Sequence, residues 1–293
     1  MKSIESLQAL EEGCRGLGYI ADRALLTPLY LLTRLRRPLL LEGHAGVGKT
    51  ETAKVLAKLL DTELVRLQCY EGLDATATIY EWNYQKQLLA IKLQERSDAS
   101  LQELEKHIFD REFLLERPLL RAVSKPDGPA VLLIDEIDRA DEEFEAFLLE
   151  LLSDFQITIP EIGTIKALHR PYVILTSNRV RELSDALKRR CLYHWIDYPD
   201  AAKELEIVRR NVPEVTERLG RQVVQVVQAL RALNLEKPPG VAETLDWAIA
   251  LLALGKTGLD LDVLEDTKGC LLKSTGDFHV LQTQLQPLIA ALE

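Results

Sequence analysis

The chain has 293 residues, enough for one large domain or two modest ones. Hydrophobic residues make up 47% of the sequence, which supports a sizeable core and excludes wholesale disorder. The net charge of −10 is concentrated in residues 95–150, where 7 Lys or Arg stand against 16 Asp or Glu. Because such an acidic surface repels phosphate backbones, sequence-independent nucleic-acid binding is disfavoured.

Neither a signal peptide nor a membrane span is predicted. The opening MKSIESLQALEEG carries early charges and no apolar core. The longest apolar run, WAIALLALG, is too short to cross a bilayer. We therefore expect a cytoplasmic protein. Four cysteines lack metal-ligand or redox-motif spacing and are interpreted as buried or incidental thiols.

Strands and helices are predicted to alternate through the first two thirds of the chain. PLLLEG (38–43) is a short apolar run ending in glycine, typical of a buried strand, and KTETAKVLAKLL after it has one apolar helical face. The further strands are predicted in TELVRLQCYE, VLLIDEI, YVILTSN and LYHWIDYP. A helix is predicted from about Asp141, with Phe144 to Phe155 along its apolar stripe. This alternation indicates a mostly parallel sheet covered on both faces.

Two segments interrupt the alternation. Residues 73–122, called the insert below, separate the second and third strands and are predicted to be partly helical. Residues 157–170 alternate in hydrophobicity around Gly163, which predicts a hairpin. After Pro199 only helical periods remain, so we expect an α/β domain over 1–199 and a helical domain over 200–293.

A phosphate-binding loop is predicted between the first strand and its helix. GHAGVGKT (43–50) fits G-x-x-x-x-G-K-S/T in the strand–loop–helix context that this motif requires. Its glycines let backbone N–H groups face one point at a helix N-terminus, where the helix potential favours phosphate. Lys49 can reach the β- and γ-phosphates, and Thr50 can ligate Mg²⁺. The candidate nucleotide-binding residues here are Gly43, His44, Ala45, Gly46, Val47, Gly48, Lys49, Thr50 and Glu51.

Acidic and amide side chains end two of the predicted strands. VLLIDEID delivers Asp135 and Glu136 to the carboxyl end of a strand, where α/β sheets place their ligands. Asp135 suits Mg²⁺ coordination, directly or through water, and Glu136 suits a base that polarises an attacking water. Asn178 ends the next strand and could hold that water from the opposite side. The alternative for Asn178 is an ordinary turn residue.

An arginine pair, Arg189 and Arg190, stands between an apolar turn and a predicted strand in SDALKRRCLYHW. Such a pair needs an anionic partner. The ordinary interpretation is a surface ion pair, or cations that stabilise a helix C-terminus.

Together these motifs resemble the AAA+ ATPases: the phosphate-binding loop, the acidic DE strand, the TSN strand end, the arginine motif and a helical segment after them. The insert and hairpin are similar to the helix-2-insert group of that class, and the closest resemblance is to the MoxR-like family. RLQCYEGLDATATIYEWNYQKQLL resembles its CoxD-like subgroup, which is associated with maturation of a molybdenum-containing carbon monoxide dehydrogenase. The resemblance spans roughly residues 15–255.

The resemblance implies a parallel sheet of strand order 5-1-4-3-2 and a helical lid. It implies that ATP and Mg²⁺ are the cofactors and that Asn178 is the first sensor. It also implies that Arg190 is a finger arginine reaching the ATP of the next subunit in a ring, expected to be a hexamer. Arg189 is the alternative finger. The chain departs from the family at Glu243, which aligns where a second sensor arginine often stands; Lys237 is a candidate substitute.

The function implied is Mg²⁺-dependent ATP hydrolysis that drives chaperone-like remodelling or maturation of a partner protein. The family commonly works with a partner bearing a von Willebrand A-type domain. Two alternatives come from other classes. One is a nucleic-acid-dependent motor or regulator, against which the acidic balance argues. The other is a nucleotide-gated scaffold without turnover, against which the Asp135–Glu136 pair argues.

Overall fold

The computed structural model describes residues 4–94 and 107–290. Of these, one compact unit holds the residues within Met1–Leu10, Ala24–Glu42 and Thr50–His194. The other unit holds those within Glu11–Arg23, Gly43–Lys49 and Trp195–Glu293. Within the described residues, no helix combines the length and apolarity that crossing a bilayer requires.

The secondary structure alternates through the first part of the chain. It begins with α1 (Leu7–Gly16), α2 (Arg23–Leu35), β1 (Leu39–Gly43), α3 (Lys49–Leu60) and β2 (Leu64–Gln68). The insert contains α4 (Ala75–Ile79), β3 (Tyr80–Trp82), α5 (Tyr84–Gln94), β4 (Leu114–Glu116) and α6 (Pro118–Ser124). Then follow β5 (Val131–Asp135), α7 (Glu142–Asp154), β6 (Gln156–Ile159), β7 (Gly163–Lys166), β8 (Tyr172–Ser177), α8 (Asp185–Arg190) and β9 (Leu192–Ile196). The remaining helices are α9 (Ala201–Asn211), α10 (Glu217–Arg231), α11 (Val241–Ala253), α12 (Leu261–Leu271) and α13 (Thr275–Ala290).

The central sheet has five strands in the order β2-β5-β8-β1-β9. If only these five strands are numbered, in chain order, the sheet read from β9 has the order 5-1-4-3-2. The predicted α/β fold is therefore confirmed. The pairs β1–β8, β2–β5 and β5–β8 are parallel, and β9 joins β1 where Leu192 N donates to Pro38 O (2.7 Å). Every residue of β5 and β8 is buried, which explains why these strands read as continuous apolar runs.

Helix α7 covers the sheet with the apolar stripe predicted for it. Asp141 caps its N-terminus by accepting from Phe144 N (2.8 Å). One detail of the prediction is wrong: Phe155 lies beyond the last helical residue, as a left-handed C-cap with φ 52°. Its ring is still buried, at 4% exposure, because the turn out of the helix directs it back to the core.

Two small antiparallel sheets accompany the central one. In the insert β3 pairs with β4, with Trp82 opposite Leu114. The sequence predicted only partial helix there, so this pairing is an addition. Further along, β6 pairs with β7 and Ile157 lies opposite Ile165.

The second unit consists mainly of α9 to α13. Its core is built around Trp247, which is fully buried and donates from Nε1 to Thr267 Oγ1 (2.8 Å). Arg231 and Glu204 form a buried ion pair at 2.7 Å, with side-chain exposures of 7% and 0%. Thr244 of α11 also donates to Glu204 (2.7 Å). One satisfied carboxylate thus ties together α9, α10 and α11.

Candidate functional site

The loop between β1 and α3 is closely packed around its glycines. A Cβ on Gly43 would lie 2.2 Å from Ile196 O, so only glycine fits there. Gly46 has φ 74°, and a Cβ on it would lie 3.1 Å from Gly240 Cα. The sequence therefore folds into a curled loop because glycine alone tolerates these backbone positions.

Lys49 is the first residue of α3 and is 7% exposed. Its ammonium donates to Gly43 O (2.7 Å) and His44 O (2.6 Å), two carbonyls of the same loop. The positive charge is thereby held against the loop itself.

Two further loop residues make defined contacts. The His44 ring stacks on Tyr198 with centroids 4.6 Å apart and meets the edge of Trp195 at 5.5 Å. Burial raises the pKa of Tyr198 above its usual value. Glu51 pairs with Lys54 one helical turn on (3.0 Å), so its side chain is committed to a surface ion pair.

Asp135, at the end of β5, is 2% exposed and receives several donors. Thr50 Oγ1 lies 3.1 Å from Oδ1, and Thr176 Oγ1 donates to the same oxygen at 2.5 Å. Arg66 donates to Oδ2 from Nε (2.9 Å) and Nη2 (2.6 Å). Hydroxyl and carboxylate oxygens side by side are the hard ligands that Mg²⁺ prefers.

Glu136 follows in the left-handed region, with φ 55° and ψ 50°. This backbone turns its side chain away from the strand direction. Its carboxylate accepts from Gln68 Nε2 (3.1 Å) and Asn178 Nδ2 (3.4 Å), and Arg139 lies at 2.7 Å. The structure thus places the Asn178 amide next to Glu136.

Asp138 is a positioning residue that the sequence reasoning missed. It is 2% exposed, and its Oδ2 accepts from the backbone N–H groups of Asn178 (3.1 Å) and Val180 (2.8 Å). It therefore fixes the turn that carries Asn178. The only sequence signal was the second aspartate of DEID.

Cys69 lies beside this acidic cluster, directly after β2. Burial, and then the negative charges of Asp135, Asp138 and Glu136, raise the pKa of its thiol to about 12. The thiol is protonated at neutral pH, so the arrangement does not support nucleophilic cysteine chemistry.

The arginine pair ends α8, and both side chains are exposed. Arg190 Nε donates to Ser153 Oγ (3.0 Å) at the end of α7. Arg37 donates to the backbone carbonyl of Arg189 (3.2 Å). The described contacts of Arg190 leave its guanidinium largely at the surface, separate from the acidic cluster of Asp135 and Glu136.

Glu243 occupies the third position of α11, and its Oε2 accepts from the backbone N–H of the N-cap residue Gly240 (2.9 Å). Ala242 N donates to Gly46 O (3.2 Å). The carboxylate at the expected arginine position therefore stabilises the start of its own helix. The side chain of Lys237 is exposed, and its backbone N–H donates to Asp277 (3.1 Å).

The parallel sheet of this strand order, the glycine-rich loop before α3 and the acid pair ending β5 define a P-loop ATPase domain of the AAA+ class. Residues 38–191, more than half of the chain, match the family described as AAA domain (dynein-related subfamily). The chain belongs to that family.

Similar proteins extend the match beyond this domain. An uncharacterized protein of Staphylococcus haemolyticus (strain JCSC1435) is 24% identical over 221 residues, covering 73% of this chain and 76% of that protein. Another from Staphylococcus aureus (strain bovine RF122 / ET3-1) is 25% identical over the same shares. Among solved structures, a single-residue variant of Thermotoga maritima RuvB has a TM-score of 0.51 at 18% identity, covering 98% of this chain and 82% of that one. This last likeness concerns the fold alone.

Proposed function

We propose that this protein is a Mg²⁺-dependent ATPase that remodels or matures a partner protein. The observation that carries the hydrolytic part is the arrangement at the carboxyl ends of β5 and β8. There Thr50 lies 3.1 Å from Asp135, and Asn178 lies 3.4 Å from Glu136. One pair suits metal binding and the other suits the orientation of water.

The residues present fit ATP and Mg²⁺. The curled loop and the Lys49 ammonium suit the phosphates. Thr50 and Asp135 would hold the metal, which supplies charge neutralisation at the transferring phosphoryl group. Arg66, which contacts the same carboxylate, competes for it.

Glu136 would accept the proton of the attacking water, and the Asn178 amide would orient that water. The buried Asp138 supports this assignment, because it fixes the backbone that carries Asn178. A base of this kind contributes on the order of 10²–10⁴-fold in rate. The hydroxide equivalent would then attack the γ-phosphorus in line with the departing ADP.

The variant Glu136→Gln tests the hydrolytic proposal. Glutamine keeps the shape of the side chain and an oxygen that can accept hydrogen bonds, but it is not a base. ATP should therefore bind with nearly unchanged affinity, and phosphate release should fall by at least about 100-fold. Phosphate release and calorimetric ATP titration measure the two quantities.

The control is Glu143→Gln, an exposed carboxylate in the first turn of α7, which should hydrolyse ATP at the parental rate. Turnover by Glu136→Gln at the parental rate would show that another group is the base. Lack of turnover in the parent, with ATP bound, would favour a scaffold gated by nucleotide.

The finer assignment is that the protein acts in the cytoplasm as a MoxR-like ATPase of the CoxD-like type. The residues quoted from the insert support this. We propose a core over 1–199, a lid over 200–293, and a homo-oligomeric ring, as a hexamer, in which Arg190 or Arg189 serves the neighbouring subunit's ATP. Its client is a metalloenzyme of the carbon monoxide dehydrogenase type, with a von Willebrand A-type domain protein as a further partner.

Co-expression with a molybdenum-containing carbon monoxide dehydrogenase tests the client assignment. The dehydrogenase should become active beside the parent protein and stay inactive beside Glu136→Gln. Equal dehydrogenase activity in both cultures would remove this client while leaving the ATPase proposal intact.

A further inference from the structure

Asp135, the carboxylate that suits Mg²⁺, forms an ion pair with Arg66. Arg66 in β2 directs two donors at Asp135 Oδ2, with Nε at 2.9 Å and Nη2 at 2.6 Å. Asp135 is almost fully buried, while the Arg66 side chain is 50% exposed. The partner that neutralises the buried carboxylate already reaches water, so it can leave when another cation takes its place.

Arg66 also makes a second contact. Its Nη2 donates to Gln68 Oε1 at 2.6 Å, two residues further along β2. With its oxygen accepting from Arg66, the Gln68 amide presents Nε2 to Glu136 Oε2, at 3.1 Å. A continuous path of hydrogen bonds thus runs from Asp135 through Arg66 and Gln68 to Glu136.

We propose that Arg66 is a positioning residue that Mg²⁺ displaces from Asp135, and that this displacement changes the hydrogen bonding of Glu136. The inference rests on the proposed function, since it takes Asp135 as the metal-binding acid. Two donors on Oδ2, with Thr50 and Thr176 on the other side, fill the acceptor sites of the carboxylate. A metal ion, or the water bound to it, reaches Oδ2 only as the guanidinium withdraws.

The withdrawal has a consequence for the base. Without Arg66, the Gln68 oxygen loses its donor and the amide is free to turn. Glu136 then loses one of its donors, while Arg139 (2.7 Å) and Asn178 (3.4 Å) still contact its carboxylate. Arg66 thereby links a filled metal site to a Glu136 with one donor fewer, and a site without metal to a Glu136 that also accepts from Gln68.

The test compares Arg66→Gln with the parent by two affinities for a non-hydrolysable fluorescent ATP analogue, one in excess MgCl₂ and one in EDTA. The ratio of these affinities measures what the metal adds to nucleotide binding. Because Arg66→Gln removes the competing charge, the ratio should rise by roughly three- to tenfold. Neither affinity depends on turnover.

Two controls separate charge from folding. Arg66→Lys keeps the cation and should leave the ratio near the parental value. Arg111→Gln removes an exposed ion pair of similar length, 2.8 Å to Glu116, in the insert, and should also leave it unchanged. Circular dichroism of all three variants checks that they fold.

The outcomes distinguish the two proposals. A parent that does not bind the analogue, or binds it identically in MgCl₂ and EDTA, would overturn the proposed ATPase and this inference with it. A parent that depends on Mg²⁺, with an unchanged or lower ratio in Arg66→Gln, would overturn the exchange alone. If Arg66→Gln fails to fold, Arg66→Met removes the same charge: a higher ratio in that variant supports the exchange, and an unchanged or lower one counts against it.

Discussion

Lys49 is a nearly buried ammonium that depends on two backbone carbonyls of its own loop. In Lys49→Ala those carbonyls lose their donor and the phosphates lose their nearest side-chain cation. We therefore expect tight ATP binding to be abolished, a loss of at least about 100-fold in affinity, since charge-assisted contacts to phosphate are among the strongest hydrogen bonds. Isothermal titration calorimetry measures this directly.

The control for this change is Lys54→Ala, in the same helix. Lys54 is 47% exposed and pairs only with Glu51 in the described contacts, so its loss should leave ATP affinity within about twofold. Equal affinity in Lys49→Ala and the parent would contradict the phosphate-binding assignment of the loop.

The residues around Asp135 differ in how well sequence could identify them. Asp135, Glu136 and Asn178 end apolar strands, and that position, together with the phosphate-binding loop before them, made them candidates. Arg66 and Gln68 could not be found in this way, because their roles depend on register: Gln68 lies opposite Asp135 in the β2–β5 pair. Register within a buried parallel sheet is set by packing between distant segments, which a motif does not encode.

At the scale of elements, β1, β5 and β8 were predictable because each is a short, fully buried apolar run bounded by turns. The β3–β4 pair was not. Its strands have three residues each, and Trp82 and Leu114 meet across most of the insert. Pairing over such a separation leaves no local alternation to read.

The N-terminus of α11 packs directly on the phosphate-binding loop. A Cβ on Gly240 would lie 2.7 Å from Ala45 O and 2.8 Å from Gly46 Cα, both backbone atoms. Gly240→Ala should therefore push the helix from the loop, destabilise the protein by about 1–3 kcal/mol, and weaken ATP binding. Denaturant unfolding and nucleotide titration measure these two effects.

Gly269→Ala is the matched control for this change. Gly269 is exposed within α12, and a Cβ there meets nothing within 4 Å. The protein should gain about 0.5–1 kcal/mol of stability from the better helix former and keep its ATP affinity. Parental stability and affinity in Gly240→Ala would mean that the loop and helix separate at no cost.

At the scale of the whole molecule, the proposed ring can be tested with two inactive variants. Arg190→Ala should bind ATP but hydrolyse it at least about 1000-fold more slowly, as expected for a finger arginine. Glu136→Gln lacks the base. When the two are mixed under subunit exchange, some interfaces join an intact Glu136 to an intact Arg190, and phosphate release should reappear.

Arg189→Ala mixed with Glu136→Gln in parallel identifies which member of the pair acts. Native mass spectrometry establishes that mixed oligomers form. Mixed oligomers that release no phosphate would place Arg190 in its own subunit's chemistry or in holding α8 to Ser153. The sequence could suggest a contact between this arginine and a neighbouring subunit but could not define the surface involved, because the composition of such a surface resembles that of any other polar surface.

The left-handed backbone of Glu136 implies a trade-off between thermal stability and ATP hydrolysis. A residue with a Cβ gives up about 1 kcal/mol at φ 55°, and asparagine recovers part of it because its short polar side chain hydrogen-bonds locally. Glu136→Asn should therefore be the more heat-resistant protein by about 0.5–1 kcal/mol while losing hydrolysis, whereas Glu136→Gln should melt with the parent. Selection for stability alone would favour asparagine at this position. A glutamate in left-handed backbone is therefore what selection for hydrolysis would retain. Thermal unfolding of the three proteins measures the expected difference in stability.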